Sequence, residues 1–352
     1  MTEQVAEPAD TNGASPPAGG SATRTPEEPA AVSERRRLAE VRNLGLVGVL
    51  AVLVVIGALT EPGQFLSTGT LVLLLTQASV IGVITVGMTF VIIGGGIDLS
   101  VGAVVALATV WATTKATQSF GIGGIVFCAL AVGLGCGLVT GLLIAYGRLV
   151  AFIGTLAMLA SARGLAIQIS QGRTQTVSTK NQALVDLGYQ DSYVLGVPPL
   201  VLIFAAVAVA GWIVLNRTTF GRRTYAIGGN LEAARLAGLN VRLHTCLLYV
   251  LSGLCCGIAS VMLIILTSSG TSGNGNLYEL DAIAAVIIGG TLLSGGRGTL
   301  VGSVLGVLVF TTISVLFTLN NLPTAVQQLA KGVIIVLAVL IQRRYSTERN
   351  SR

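Results

Sequence analysis

Charge is what this sequence has least of. Asp, Glu, Lys and Arg make up 10% of its 352 residues, against about 25% in an average soluble chain. With 53% hydrophobic residues and a mean hydropathy of +0.82, the chain reads as an all-α polytopic membrane protein. Histidine occurs once, at His244, so no histidine-based zinc cluster can form and no metal site is expected. The sequence carries no GxxxxGK[ST] loop, HExxH helix or GxSxG elbow, which argues against a nucleotide-hydrolysing site or an enzyme of those classes. The five cysteines (Cys128, Cys136, Cys246, Cys255 and Cys256) all fall in apolar segments, which argues against a disulfide framework; the vicinal Cys255 and Cys256 read as small helix-packing residues. The carboxylates and lysines that read as embedded in the membrane are few, Asp98 and Lys331 with Asp281 as a further candidate, fewer than ion-coupled carriers usually show. The net charge of +6 sits in short basic clusters beside apolar runs, a pattern of membrane orientation rather than of nucleic-acid binding.

Against these absences stand ten apolar segments, roughly 44–60, 71–93, 99–114, 122–145, 150–169, 197–215, 245–267, 280–293, 300–319 and 325–341. A helix needs about 20 residues to cross the hydrocarbon of a bilayer, and ten crossings place both termini on one side. The basic residues Arg148, Arg297, Arg343, Arg344 and Arg349 then share that side, while Lys115, Arg173 and Lys180, with Arg163 near them, fall opposite. The positive-inside tendency makes the first side cytoplasmic. Residues 1–43, rich at first in Ala, Pro, Thr, Gly and Glu, read as a disordered cytoplasmic tail. They lead, after Arg35, Arg36, Arg37 and Arg42, into a first segment that serves as an uncleaved signal anchor. Residues 44–342 form the transmembrane domain and 343–352 a second cytoplasmic tail. Pro198 and Pro199 open the sixth segment, where a missing amide proton costs least. The longest outer loop, 170–196, reads as a solvated connection or a docking rim.

Two places break the pattern of plain spans. The eighth segment has about 14 apolar residues, some 21 Å of helix, and the polar run SSGTSGNGNLYELD before it suits a dip into a protein-lined cavity. Between the second and third segments lies GGGIDLSVG. Asp98 there has two compatible roles: a helix cap accepting from the Ser100 and Val101 amides, or a carboxylate that lines a path or fastens a moving element. The pentapeptide VIIGG occurs at 91–95 and again at 286–290, each time before a glycine-rich turn, consistent with a parallel internal repeat. Lys331 reads as a snorkelling side chain, with carboxylate pairing as the alternative. By polarity and position, Gln77, Asp98, Asn274 and Asn276 are the candidates for a solute path.

The densest polar stretch is NRTTFGRRTYAIGGNLEAARLAGLNVR, residues 216–242, with five arginines. Gly228 and Gly229 suggest a turn, Asn230 an N-cap, Leu231 to Ala237 two helical turns and Gly238 the C-cap. Leu231, Ala234 and Leu239 make a small apolar face, with Glu232 and Arg235 on the polar side. A short helix of this kind lies in the interface or seats in a groove of a cytoplasmic partner. A passive channel would leave such a loop unexplained.

At these residues the chain resembles the permease subunits of ribose-, xylose- and galactose-type ABC importers. The pattern GGNLEAARLAG, 228–238, preceded by FGRRTYAIG, is similar to their cytoplasmic coupling loop. GMTFVIIGGGIDLSVGAVVAL, 87–107, and LDAIAAVIIGGTLLSGGRGTLVGSVLG, 280–306, are similar to two further segments. The resemblance spans about 44–341 and leaves out the Pro/Ala-rich beginning. It implies a ten-helix, multi-pass subunit of the bacterial cytoplasmic membrane. The implied assembly has a second permease copy, two ATP-hydrolysing subunits inside, which bind ATP and magnesium that this chain does not, and a sugar-binding protein outside. It implies contact with the ATPase by Gly229, Asn230, Glu232, Ala233, Ala234, Arg235, Gly238 and Leu239. The expected function is import of a pentose or hexose, such as ribose, xylose, galactose, galactofuranose or fructose, by alternating access. A stand-alone channel or secondary carrier, and a related permease for a non-sugar solute, are the alternatives.

Overall fold

The computed structural model describes residues 28–189 and 192–350, with side chains described from 43 to 340 within that range. The chain divides into units 1–38 and 39–352. Of the first unit only the beginning of one helix is described, and all the remaining elements belong to the second.

The helices are α1 (Glu28–Thr60), α2 (Thr68–Ile93), α3 (Val101–Ala112), α4 (Lys115–Gln118), α5 (Gly121–Ala145), α6 (Ala151–Ser170), α7 (Gln182–Asp186), α8 (Pro199–Arg217), α9 (Thr219–Gly229), α10 (Leu231–Leu236), α11 (Val241–Thr267), α12 (Tyr278–Ile288), α13 (Leu300–Leu319) and α14 (Thr324–Asn350). Two-residue strands β1 (Gln175–Thr176) and β2 (Ser269–Gly270) pair antiparallel. Helix α1 begins at Glu28, inside the stretch read as an unstructured tail, and α14 runs on to Asn350. Both extensions have one cause. A helix already nucleated by an apolar span gains a hydrogen bond for each residue added, and both flanks carry Arg and Glu, which are good helix formers. Residues 1–27 lie outside the described part.

Seven of the ten apolar segments become helices long and apolar enough to cross a membrane: residues Asn43–Thr60 of α1, and α2, α5, α6, α8, α11 and α13. The eighth segment is short as expected, since α12 has 11 residues. The third is shorter than expected: α3 has 12 residues, about 18 Å at 1.5 Å per residue. Its helix starts only at Val101, because the chain after Ile93 first turns through glycine and then runs without regular structure through 96–100. Every residue of α3 except Trp111 is buried, against α5, α6, α11 and neighbouring loops. A half-length helix is viable at depth when protein rather than lipid covers its ends.

Helices α5 and α11 share the most extensive contact. Gly133, Gly137 and Gly141 of α5 repeat every fourth residue, and a Cβ on Gly133 would sit 2.3 Å from the Gly253 carbonyl oxygen of α11. This is small-residue packing, which lets membrane helices approach closely enough to gain van der Waals contact. The two VIIGG copies end α2 and α12 with the same cap. Gly95 (φ +85°) and Gly290 (φ +78°) take the left-handed region. The Gly96 amide donates to Val91 O at 2.9 Å, and the Thr291 amide donates to Val286 O at 3.1 Å. That six-to-one bond is the Schellman closure.

Candidate functional site

The polar island folds into two helices rather than a turn and one helix. The Thr218 hydroxyl caps α9, whose inner side carries buried Gly221, Thr224 and Ile227. Thr224 Oγ1 lies 2.9 Å from His244 Nε2 on α11, the His244 ring rests 4.5 Å from that of Phe220, and the Tyr225 hydroxyl donates to Gly298 O at 2.9 Å. Held on that side, the helix continues through Gly228 and Gly229 and breaks only at Asn230, whose backbone is extended. Asn230 then caps α10 as its sequence predicts, with Oδ1 accepting from the Ala233 amide at 2.9 Å. Gly238 (φ +81°) ends it, and the Leu239 amide returns to Ala234 O at 3.1 Å.

Beneath this pair three stretches of backbone meet. A Cβ on Gly228 would stand 1.8 Å from Ile93 O and 2.7 Å from the Gly296 nitrogen. The Gly296 amide itself donates to Ile93 O at 2.8 Å. A Cβ on Gly295 would lie 2.9 Å from both Gly228 O and the Gly95 Cα. The end of α9 therefore touches, backbone to backbone, the cap of the first VIIGG copy at Ile93–Gly95 and the Gly295–Gly296 turn, which lies five residues beyond the cap of the second copy. The sequence showed the glycines but not that they meet.

The side of α10 turned away from this joint is open. Ala234 is buried, while Leu231 is 57% and Leu236 82% exposed. Gly229, Asn230, Glu232, Ala233, Arg235 and Gly238 are also exposed, and Leu239 is half-buried. Of the apolar face expected from Leu231, Ala234 and Leu239, only Ala234 packs inward. Leu236 was not anticipated; its place three residues after Ala233, on the outer side, is the signal that could have marked it.

The four path candidates are placed apart. Gln77 is half-buried on α2. Asp98 is buried, 4% exposed, and accepts from the Ser100 amide (3.0 Å) and the Ser100 hydroxyl (2.6 Å) through one oxygen. Its second oxygen turns to the Ser252 hydroxyl of α11 at 2.8 Å rather than to the expected Val101 amide. The expected cap is only half made, through the amide of Ser100, itself the N-cap residue of α3, while the second oxygen fastens the α2–α3 turn to α11. Asn274 donates to Thr109 Oγ1 at 3.2 Å, eight residues beyond the start of α3 and so about 12 Å from it. Asn276 is exposed. Replacing Asp98 with alanine removes three accepted hydrogen bonds and leaves Ser252 unpaired, an expected cost of about 2–4 kcal/mol, measurable as a lowered unfolding temperature in detergent.

Lys331 does not snorkel. Its Nζ lies 3.2 Å from both carboxylate oxygens of Asp281 on α12 and 5.1 Å from the Phe310 ring centroid. A carboxylate within reach neutralises the ammonium where it stands, so the side chain need not travel to the interface. Among the described residues no cluster of three or more His, Cys, Asp or Glu has the geometry of a metal site.

Comparison with known proteins adds to this geometry. The family described as the branched-chain amino acid transport system permease component matches residues 70–339. The ribose import permease protein of Bacillus subtilis (strain 168) is 38% identical over 312 residues, covering 87% of this chain and 94% of that one. Its counterpart in Escherichia coli (strain K12) is 36% identical over 314 residues, covering 89% and 98%. A galactofuranose transporter permease protein of the same organism is 34% identical over 270 residues, 76% of this chain and 78% of that one. No solved structure matches. With the fold, the paired glycine turns and the capped helix α10 in place, these matches make the chain a member of the monosaccharide ABC importer permease family.

Proposed function

We propose that this chain is the membrane-spanning subunit of an ATP-driven importer that carries a monosaccharide, a pentose or hexose, into the cytoplasm by alternating access. The observation that carries the reading is the joint beneath α10: this helix, bearing exposed leucines and charges, follows directly on the end of α9, whose Gly228 is in backbone contact with the Ile93–Gly95 turn and with the Gly295–Gly296 turn. A partner seated on α10 would move both turns together, because backbone atoms in contact leave no side chain to absorb the displacement. The basic residues at that end, Arg217, Arg222, Arg223, Arg235 and Arg242, support a cytoplasmic position for it and for both termini. The partners of the reading are a second permease copy, two ATP-hydrolysing subunits against α10 and a sugar-binding protein on the opposite face. ATP and magnesium belong to the hydrolysing subunits. The relatives named for ribose and galactofuranose transport support a sugar as cargo.

Glu232→Lys and Arg235→Glu reverse exposed charges on α10. Each should leave membrane insertion intact and abolish the response of the partner ATPase to the loaded binding protein, measured in proteoliposomes. Full coupling in both variants would overturn the assignment of α10. Uptake by the purified chain alone, without ATP or partners, would favour a channel or carrier instead. Thermal-shift screening of the associated binding protein against pentoses, hexoses, galactofuranose and fructose identifies the cargo, and a response only to non-sugar solutes would move the reading to the non-sugar alternative.

A further inference from the structure

The segment between β2 and α12 lies along α3 in a way that decides what its other side can face. A Cβ on Gly270 would be 2.3 Å from Thr109 O near one end of α3, and a Cβ on Gly275 would be 2.5 Å from Gly102 O in its first turn. Between those two contacts the chain passes seven residues of α3, about 10 Å of depth, without forming a helix. Irregular backbone is tolerated at membrane depth only where protein buries it or where it lines a water-filled cavity.

Its inner side is fully occupied. Arg163 of α6 donates through Nη1 to the carbonyl oxygens of Ser272 and Asn274, the second at 3.0 Å, and the Asn274 amide is spent on Thr109. The Glu279 carboxylate turns the same way: one oxygen is buried without a hydrogen-bond partner, where a Cβ on Gly102 would come within 2.4 Å of it. The other side is uncovered by this chain. Gly273 and Asn276 are exposed, with Ser272, Asn274 and Glu279 half-buried beside them. Such a polar, non-helical edge cannot stand against lipid.

We propose that this edge, with Asn276 at its centre, is one wall of the aqueous path through which the solute passes, and that a second copy of the chain closes the path opposite it. The inference rests on the importer reading and names the residue that meets the cargo. The chemistry suits a neutral polyhydroxyl solute. Arg163 donates to two backbone carbonyls of the segment, and Asn276 offers one amide donor pair and one carbonyl acceptor, enough to pass hydroxyl groups along.

The test is thiol labelling in membranes containing the assembled importer. Asn276→Cys is compared with Phe127→Cys, a position on the apolar outer face of α5, using a membrane-impermeant methanethiosulfonate reagent and the unmodified chain as background. Asn276→Cys should react at least ten times faster than Phe127→Cys. Gly273→Cys, at a site open to an added Cβ, reads the same wall should the first variant fail to assemble. Equal rates at Phe127→Cys and at both wall positions, in complexes that still couple ATP hydrolysis to uptake, would overturn the wall and leave the importer reading standing. Fast labelling at Asn276→Cys, with no ATP-dependent uptake by complexes of the unmodified chain, would keep the wall and remove the importer.

Discussion

Gly228→Ala is expected to cut ATP-driven uptake at least tenfold, while Gly135→Ala, at an exposed position of α5, leaves it near the unmodified level. At Gly135 an added methyl meets nothing within 4 Å; at Gly228 it would lie 1.8 Å from Ile93 O. Neither that carbonyl nor the Gly296 amide bonded to it at 2.8 Å can swing aside as a side chain would, so the three backbones must separate. Overpacking of this kind costs about 1–3 kcal/mol, and 1.4 kcal/mol is a factor of ten in an equilibrium constant. The exposed face of α10 is untouched by either change. The ATPase subunit should therefore still co-purify with the Gly228 variant, while its hydrolysis ceases to respond to the binding protein. If uptake and the ATPase response both survive Gly228→Ala, the glycine joint does not transmit motion.

The second large effect is expected at the pair that holds α14. This helix packs within the chain chiefly against α12, and the Lys331–Asp281 contact is its polar anchor there. Lys331→Ala leaves a carboxylate, 8% exposed on its side chain, without its counter-charge. Breaking a buried pair from one side costs about 3–5 kcal/mol; since the Lys331 side chain is 23% exposed, about 2–3 kcal/mol is the better expectation. Lys331→Ala combined with Asp281→Ala should recover most of that loss, because no charge is then stranded. Unfolding temperatures in detergent, measured for both single variants and the double, decide the matter. A double variant as unstable as the singles would mean that packing, not charge, anchors α14.

Much of this molecule is legible because it is written locally. The cap of α10 is carried by Asn230 and Gly238 within nine residues, and a side chain that bonds the amide three residues on needs no distant partner. Asp98 was legible by half: its bond to the Ser100 amide spans two residues, whereas its bond to Ser252 spans 154. Helix α9 as a whole is not legible, because its closing glycine pair signals a turn in general, and here packing of Ile227 and Thr224 against neighbouring elements outweighs that tendency. The same imbalance hid the partner of Lys331, which lies 50 residues away in the chain.

The sequence by itself determined that the protein lives in a membrane, roughly where its helices run, and that a basic, helix-bearing island stands at one end. Hydrophobic runs, charge placement and cap chemistry act on near neighbours, so they can be read without coordinates. Tertiary structure alone decided that α3 is a buried half-helix, that the chain before α12 descends beside it with one polar edge uncovered, and that the island rests at once on the Ile93–Gly95 turn and on the Gly295–Gly296 turn. Each of these depends on which backbones approach within a few ångströms after folding, and in a chain with 45 glycines composition cannot say which of them will meet.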